Sequence, residues 1–475
     1  MATPTAGGGL LARLGLDRPE LRAWAMYDWA NSAMMVIVVT AVFPIFFGSY
    51  AAAGLAPATA TARFSLATTL GLAVIALLAP LLGALADFTA AKLRLLGGFL
   101  LLGAASTAAM FFIGRGDWVP ALVLFVLANI GANGSFVFYD ALLPHVARPD
   151  EMDRVSTAGY ALGYVGGGLL LLFALAMIQH PGWFGLPSGP DLTPAQATLP
   201  ARLSFLITGV WWIVFAIPLF RRIGEPPASP RSAEEAGRSA VAASFLRLGR
   251  TFRDLRRYRQ ALLMLVAFLI YNDGIGTIIR MATIYGTEIG IGQAELIGAI
   301  VLVQFVGIPC AFAFGALAGR IGAKRAIFLG LAAYGGISVL GYYMTTGRDF
   351  LVLAALVGVV QGGTQALSHS LFASMIPRQK SGEFFGFFSV FEKFAGILGP
   401  LVFSLVILWT GSSRASLLSI ITFFVVGGLL LAFVDVAAGQ TMAREAERAI
   451  EEEAAAAPAP EDRSEPALPH DAGAV

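Results

Sequence analysis

Charge is scarce in this chain. Only 13% of its 475 residues are Asp, Glu, Lys or Arg, whereas soluble proteins average about a quarter. Hydrophobic residues make up 57% of the chain, and the mean hydropathy is +0.75. So few charges cannot cover the surface of a water-soluble protein of this size, so a soluble globular class is excluded. The composition predicts an integral membrane protein.

Patterns that would support enzyme chemistry are also missing. The one cysteine, Cys310, excludes an internal disulfide. The four histidines lack metal-ligand spacing, and no Gly-rich loop is followed by Lys-Ser or Lys-Thr. Residues 1–22 hold no continuous apolar core before a cleavage site, so no signal peptide is predicted. We expect neither an enzyme nor an ATPase, and no metal or cofactor.

Long apolar runs are abundant instead. They lack the period-two alternation of barrel strands, and helices can satisfy their backbone groups within a bilayer, so we predict membrane-spanning helices. The fold class is all-α, with twelve spans in two six-helix bundles. The predicted spans are Ala23–Gly48, Phe64–Ala86, Leu93–Ile113, Val119–Leu143, Ser156–Ile178, Ala201–Phe220, Ala261–Tyr285, Ala294–Ala318, Ala326–Thr345, Phe350–Ile376, Glu383–Thr410 and Ala415–Val436.

A short polar motif occurs once in each half. The first loop motif, Gly83–Arg94, separates spans two and three, and the second loop motif, Gly315–Arg325, separates spans eight and nine. Such a repeat predicts two similar halves. The predicted domains are an N-terminal segment (1–22), a first bundle (23–220), a basic linker (221–260), a second bundle (261–436) and a tail (437–475) with a short charged helix followed by disordered sequence.

Positive charge indicates the orientation. Arginine and lysine concentrate in the loops on the side of the termini, which predicts cytoplasmic termini. The excess of arginine over lysine and the short loops favour a bacterial inner membrane. In the linker, arginines alternate with Phe and Leu over residues 245–259. This pattern predicts an amphipathic helix on the anionic inner leaflet. Nucleic-acid binding is the alternative interpretation of these arginines, and we expect no nucleic acid beside two membrane bundles.

The first loop motif resembles the loop signature of the major facilitator superfamily, which falls at the same two places in that family. It departs from the signature at Ala90-Ala91, and the second copy has Gly319 in place of an acidic residue. The resemblance implies that Asp87 holds the bundles together by docking on the start of span eleven, near Ser381. The alternative is a solvated aspartate that only marks a loop. The predicted gating residues are Gly83, Asp87, Lys92, Arg94, Gly315 and Arg320.

A narrower resemblance covers spans one, seven and eleven. The segments Trp24–Ala33, Tyr271–Gly286 and Phe384–Pro400 are similar to the "unknown major facilitator" group. That group includes the autophagy-related vacuolar effluxers of fungi, which are implicated in amino-acid release. The resemblance implies a transporter and puts amino acids first among its substrates.

Several ionisable residues fall inside apolar spans, where each unpaired charge costs about 2.5 to 3.5 kcal/mol on insertion scales. We predict that Lys393 pairs with Asp28 or Asp273 across a central cavity. Asp273 and Arg280 are two helical turns, roughly 10 Å, apart, which predicts no direct ion pair between them. Arg280 would hold a substrate carboxylate, or alternatively extend to the membrane surface. Asp28 and Asp273 are the predicted proton carriers.

The repeat aligns Tyr27-Asp28 with Tyr271-Asn272, which places their spans opposite each other near the bilayer centre. In the superfamily, spans one, four, seven and ten line the cavity. The predicted substrate and coupling residues are Asp28, Asn31, Asn272, Asp273, Arg280 and Lys393, with Asn133, Asp140, Gln361, Gln365, His369 and Glu392 as secondary cavity residues. The polar stripe of span ten equally suits interhelical hydrogen bonds.

These patterns predict a secondary transporter with alternating access, which moves a small polar or zwitterionic solute with a coupling proton. The alternative is a membrane receptor or scaffold that keeps the transporter fold without transport.

Overall fold

The computed structural model describes residues 10–230, 239–240, 242–246, 249, 257–288, 291, 293–394, 398–410 and 412–456. Long helices dominate these residues, and none of them forms a strand. The labelled helices are α1 (Pro19–Met34), α2 (Pro57–Thr89), α3 (Lys92–Ala109), α4 (Trp118–Val146), α5 (Met152–Gln179), α6 (Leu199–Arg222), α7 (Arg259–Glu288), α8 (Gln293–Ile321), α9 (Ala323–Tyr343), α10 (Gly347–Ala373), α11 (Ser381–Phe394), α12 (Leu398–Thr410), α13 (Ser413–Ser419), α14 (Ile421–Ala432) and α15 (Val436–Ala456).

Eleven described helical segments are long and apolar enough to cross a membrane. The first runs from Pro19 to Ala51, because α1 is continued without a break by a π-helical stretch, a short α-helical stretch (Val42–Phe46) and a second π-helical stretch. The remaining predicted span, Glu383–Thr410, is present as α11 and α12, on either side of residues 395–397, which are outside the described part. The prediction of an all-helical, multi-pass membrane protein is confirmed.

Local sequence explains where several helices begin and end. Proline is favoured in the first helical turn because its missing N–H has no acceptor there, and both α1 and α2 start at proline. At the other end of α2, Ala90 adopts a left-handed conformation (φ 48°), which stops the helix. The chain then enters α3 at Lys92, so the two helices are joined by a tight turn.

Two helix pairs make the most extensive contacts between the bundles. Helix α2 of the first bundle packs on α11 of the second, and α5 of the first packs on α8 of the second. We call the side of the molecule that carries the α2–α3 turn (residues 90–91) and the α10–α11 loop (residues 374–380) the basic face. The contacts that matter for function are described from this face inwards.

The linker and the tail flank the second bundle in sequence. Most of the predicted amphipathic stretch of the linker, 245–259, lies outside the described residues. The tail helix α15 is longer than the short charged helix predicted from Gln440, because it begins at Val436 and ends at Ala456. It is held on the basic face, where Glu447 accepts a hydrogen bond from the backbone N–H of Arg378 at 2.9 Å.

Candidate functional site

The carboxylate of Asp87 lies at the boundary between the bundles. Asp87 is fully buried in the last turns of α2, and it accepts hydrogen bonds from the backbone N–H groups of Gly382 (3.2 Å) and Glu383 (2.9 Å). These donors belong to the first turn of α11, where helix N–H groups have no partner within the helix and attract negative charge. Lys92, also buried, places its Nζ 2.5 Å from Asp87 Oδ1. The tight turn at Ala90 makes this ion pair possible.

Glycine permits the backbones of α2 and α11 to touch. A Cβ atom added at Gly83 would lie 2.1 Å from the carbonyl oxygen of Gly382. One added at Gly386, one turn further along α11, would lie 2.7 Å from the carbonyl oxygen of Ala79. No side chain fits at these positions while the helices remain in contact. The closed arrangement of the basic face therefore depends on these glycines.

The second loop motif is built differently. Gly315 packs α8 against α5, since an added Cβ would lie 2.2 Å from Thr157 Oγ1. Gly319, however, faces open space, and Arg320 is exposed, as is Arg94 in the first motif. Lys324 donates to the carbonyl oxygens of Ala432 (2.9 Å) and Val434 (2.7 Å) at the end of the last span, within its own bundle. Only the first motif thus contributes a carboxylate to the bundle boundary.

Sequence reasoning missed a second polar joint between the bundles. Ser370, near the end of α10, donates to Asp153 Oδ1 in the first turn of α5 at 2.5 Å. One turn further in, Ser156 donates to the carbonyl oxygen of Ala366 at 2.9 Å. The signal was a carboxylate directly before predicted span five, at the end that the two-fold repeat relates to the start of span eleven. This joint closes the α5 side of the basic face, as Asp87 closes the α2 side.

Beside this joint, Asp140 of α4 and His369 of α10 meet across the boundary. Their Oδ1 and Nδ1 atoms are 3.6 Å apart. His369 is buried among aromatic rings, with ring centroids 4.5 Å from Phe388 and 5.9 Å from Tyr160. Two residues predicted only as secondary cavity residues are therefore a contact pair from opposite bundles.

Asp28 lies within the first bundle, where α1 meets α5. Its Oδ1 accepts a hydrogen bond from Ser32 at 2.9 Å, and a Cβ added at Gly163 would lie 2.8 Å from the same oxygen. The phenol of Tyr160, also on α5, lies within electrostatic range of Asp28, Asp140 and Glu392. These three carboxylates belong to α4, α11 and α1, so both bundles contribute acidic groups near this tyrosine.

The predicted amide residues form contacts between and within helices. Asn31 is fully buried and donates to Ser135 Oγ on α4 at 3.1 Å. Asn133 donates to the carbonyl oxygen of Asn129 on its own helix at 2.9 Å. Gln365 of α10 donates to Asn272 Oδ1 of α7 at 3.5 Å, whereas Gln361, one turn away on α10, is half-buried.

The prediction that Asp273 and Arg280 are too far apart to pair is wrong. Arg280 Nη2 lies 3.9 Å from Asp273 Oδ1. The estimate considered the rise of the helix and neglected the reach of the arginine side chain, which folds back along α7. Gly276 leaves this route clear, since an added Cβ would lie 2.8 Å from Nη2. Asp273 Oδ2 also accepts the backbone N–H of Gly399 at 2.8 Å, at the start of α12.

The predicted pairing of Lys393 with Asp28 or Asp273 stays a prediction. Lys393 is a residue of α11, but its side chain lies outside the described part of the structure. The neighbouring Glu392 is half-buried on the same helix. Among the residues the structure describes, no cluster of histidine, cysteine or acidic residues could hold a metal ion.

Comparisons with known proteins place the chain in a family. Residues 56–444 match the family model described as "Vacuole effluxer Atg22 like". The chain is 38% identical over 413 residues to the uncharacterized MFS-type transporter YxiO of Bacillus subtilis (strain 168), a match that covers 87% of this chain and 94% of that protein. It is 29% identical over 293 residues to autophagy-related protein 22 of Yarrowia lipolytica, which covers 55% of this chain and 46% of that protein.

Solved structures show the same architecture. The crystal structure of the major facilitator transporter FucP in the outward conformation superposes with a TM-score of 0.66 at 15% identity, and the match covers 89% of this chain and 99% of FucP. At that identity the likeness establishes the fold alone. Together with the family match, it shows that this chain belongs to the Atg22-like family of the major facilitator superfamily and is a multi-pass membrane transporter.

Proposed function

We propose that this transporter moves a small zwitterionic solute by alternating access, and that a proton gradient drives the movement. Amino acids are the first class to test. The description of the family as vacuole effluxers makes export the first direction to test. The contact between Asp140 and His369 carries the proposal, because it joins the two bundles through a pair of ionisable groups.

The chemistry of this pair suits coupling. Alternating access requires the bundles to separate at the basic face, so contacts across the boundary must break in each cycle. A histidine attracts an aspartate strongly only while the imidazole is protonated and the carboxylate is not. Movement of a proton through the pair would therefore change the free energy of separation. Asp28 and Glu392, which lie within electrostatic range of Tyr160, add one further acidic group in each bundle.

Arg280 supplies the positive charge that a zwitterion needs. Its guanidinium can bind a carboxylate with two parallel hydrogen bonds. The side chain is 46% exposed, whereas its partner Asp273 is buried and anchored by the N–H of Gly399. An arginine that only extended to the membrane surface would point away from Asp273. The observed contact favours a role in binding, with Asp273 and Asp28 as further proton carriers.

The contacts of Asp87 and Asp153 define one end of the cycle. We assign the structure to the state that is closed at the basic face, in which the solute site opens to the opposite side. We further propose that the basic face is cytoplasmic in a bacterial inner membrane, with anionic lipids at its arginines. A cysteine placed at the exposed Arg94, in a Cys310→Ala background, should react with an impermeant thiol reagent only after lysis of spheroplasts. Reaction in intact spheroplasts would show that the basic face is on the outside of the membrane.

Flux into proteoliposomes under an imposed pH gradient tests the function. A thermal-shift screen of amino acids, peptides, sugars and nucleosides at two pH values selects the solute, since a ligand of the folded state raises its stability. Gradient-driven uptake should be lost in Asp140→Asn and kept in Asp150→Asn, which changes an exposed loop aspartate. A receptor or scaffold that keeps the fold would show no flux of any solute. Flux that is unaffected by the pH gradient would contradict proton coupling.

A further inference from the structure

The first residues of the linker lie directly on the Asp87 contact. After α6 ends at Arg222, the chain continues as Glu225-Pro226-Pro227-Ala228-Ser229-Pro230. We call residues 225–230 the strap. Its three prolines fix the backbone in extended conformations, so the strap holds one course with little loss of conformational freedom. From Glu225 to Ser229 such a segment spans about 12 Å.

The near end of the strap is fixed to the first bundle. Both carboxylate oxygens of Glu225 accept the backbone N–H of Leu93, at 3.1 and 3.0 Å. Leu93 belongs to the first turn of α3, where this N–H has no acceptor within the helix and the helix end attracts an anion. Glu225 thereby fastens the strap to the helix that follows the α2–α3 turn.

The far end of the strap reaches both bundles through one residue. The backbone N–H of Ser229 donates to the carbonyl oxygen of Asp87 at 2.8 Å. Its hydroxyl donates to the carbonyl oxygen of Gln379, two residues before α11. Ser229 is only 6% exposed, so these bonds are shielded from competing water. One residue thus connects the main chain of Asp87 with the segment that leads into the helix held by its side chain.

We infer that the strap is a conformational device that stabilises the closed basic face. Glu225 and the backbone N–H of Ser229 bond to the first bundle and move with it, whereas the hydroxyl of Ser229 bonds to the segment before α11 in the second bundle. Opening the face separates α11 from α2, so the bond from Ser229 to Gln379 breaks together with the bonds of Asp87. The linker that joins the bundles in sequence thereby also controls how often they separate. The inference needs no transported solute and stands apart from the proposed function.

Distance measurements test the strap directly. Spin labels on Asp150→Cys and Arg325→Cys, in a Cys310→Ala background, report the separation of the bundles at the basic face, because both positions are exposed. In nanodiscs, Ser229→Ala should shift the ratio of short to long distances towards the long, open population by about two- to tenfold, the range of one hydrogen bond. Ser239→Ala is the matched control, because that hydroxyl accepts from Ala242 inside the linker.

The same pair of variants is measured in an Asp87→Asn background, where a weaker closed state makes a shift visible even if the intact protein is almost wholly closed. A larger open population for Ser229→Ala than for Ser239→Ala in either background supports the strap. Equal distance distributions for the two serine variants in both backgrounds would overturn it.

Discussion

Asp87 at the end of α2 accepts a hydrogen bond from the backbone N–H of Glu383 at 2.9 Å, across the boundary between the two bundles. The two residues are 296 positions apart in sequence. The side chain of Asp87, in the loop motif of the first half, thus caps the first turn of a helix of the second half. Because the donor is backbone, no substitution at position 383 short of proline removes it. A substitution of the carboxylate is therefore the direct way to weaken this contact.

Asp87→Asn should open the basic face. The substitution removes the charge that attracts the helix N-terminus and leaves Lys92 buried without its counter-ion. Hydrogen bonds to a charged group contribute about 1.5 to 3 kcal/mol, so the ratio of closed to open molecules should fall about ten- to a hundredfold. The distance between labels at positions 150 and 325 measures it. Asp17→Asn, an exposed aspartate before α1, is the control, and an equal ratio in both variants would contradict the role of Asp87.

Gly83→Ala should prevent full closure of the same face, because its Cβ would lie 2.1 Å from the carbonyl oxygen of Gly382. Overpacking of this kind costs about 1 to 3 kcal/mol, enough to reduce the closed population by about five- to a hundredfold. Gly319→Ala makes the same glycine-to-alanine change at a position of the second loop motif where nothing lies within 4 Å, so it is the control and should leave the distance distribution unchanged. Closure of Gly83→Ala to the distance seen in Gly319→Ala would show that the helices do not need this contact.

His369→Asn and Asp140→Asn should have non-additive effects. Each should abolish accumulation driven by a pH gradient, and exchange of labelled for unlabelled solute without a gradient should persist. Because the residues are in contact, the double variant should be no worse than either single one, with an interaction energy of about 0.5 to 3 kcal/mol in closure of the basic face. Additive losses would show that the two residues act independently.

Arg280→Ala should weaken binding of a solute carboxylate. Loss of a charged hydrogen-bond donor should raise KM for the transported zwitterion about 10- to 100-fold, and Arg280→Lys should recover part of this, because lysine keeps the charge and loses the paired donors. The methyl ester of the same solute should respond much less. Arg115→Ala, an exposed loop arginine, serves as control, and equal effects on acid and ester would remove Arg280 from carboxylate binding.

Much of this molecule is determined by local sequence. Hydropathy alone gives the membrane class and the helices, because a bilayer admits few other structures for runs of apolar residues. The loop motif, repeated at Gly83 and Gly315, indicates two similar halves and places small residues where helices cross. These features depend on residues close together in the chain, which is why they can be predicted.

Only the tertiary structure decides which charged groups meet. Asp140 and His369, like Asp153 and Ser370, are more than 200 positions apart in sequence, and no periodicity connects them. Even the pair within α7 was misjudged, because the reach of Arg280 past Gly276 depends on side-chain conformation and not on spacing. Sequence shows that buried charges need partners, since isolation in the membrane is costly. The packing of one bundle on the other determines which partners they find.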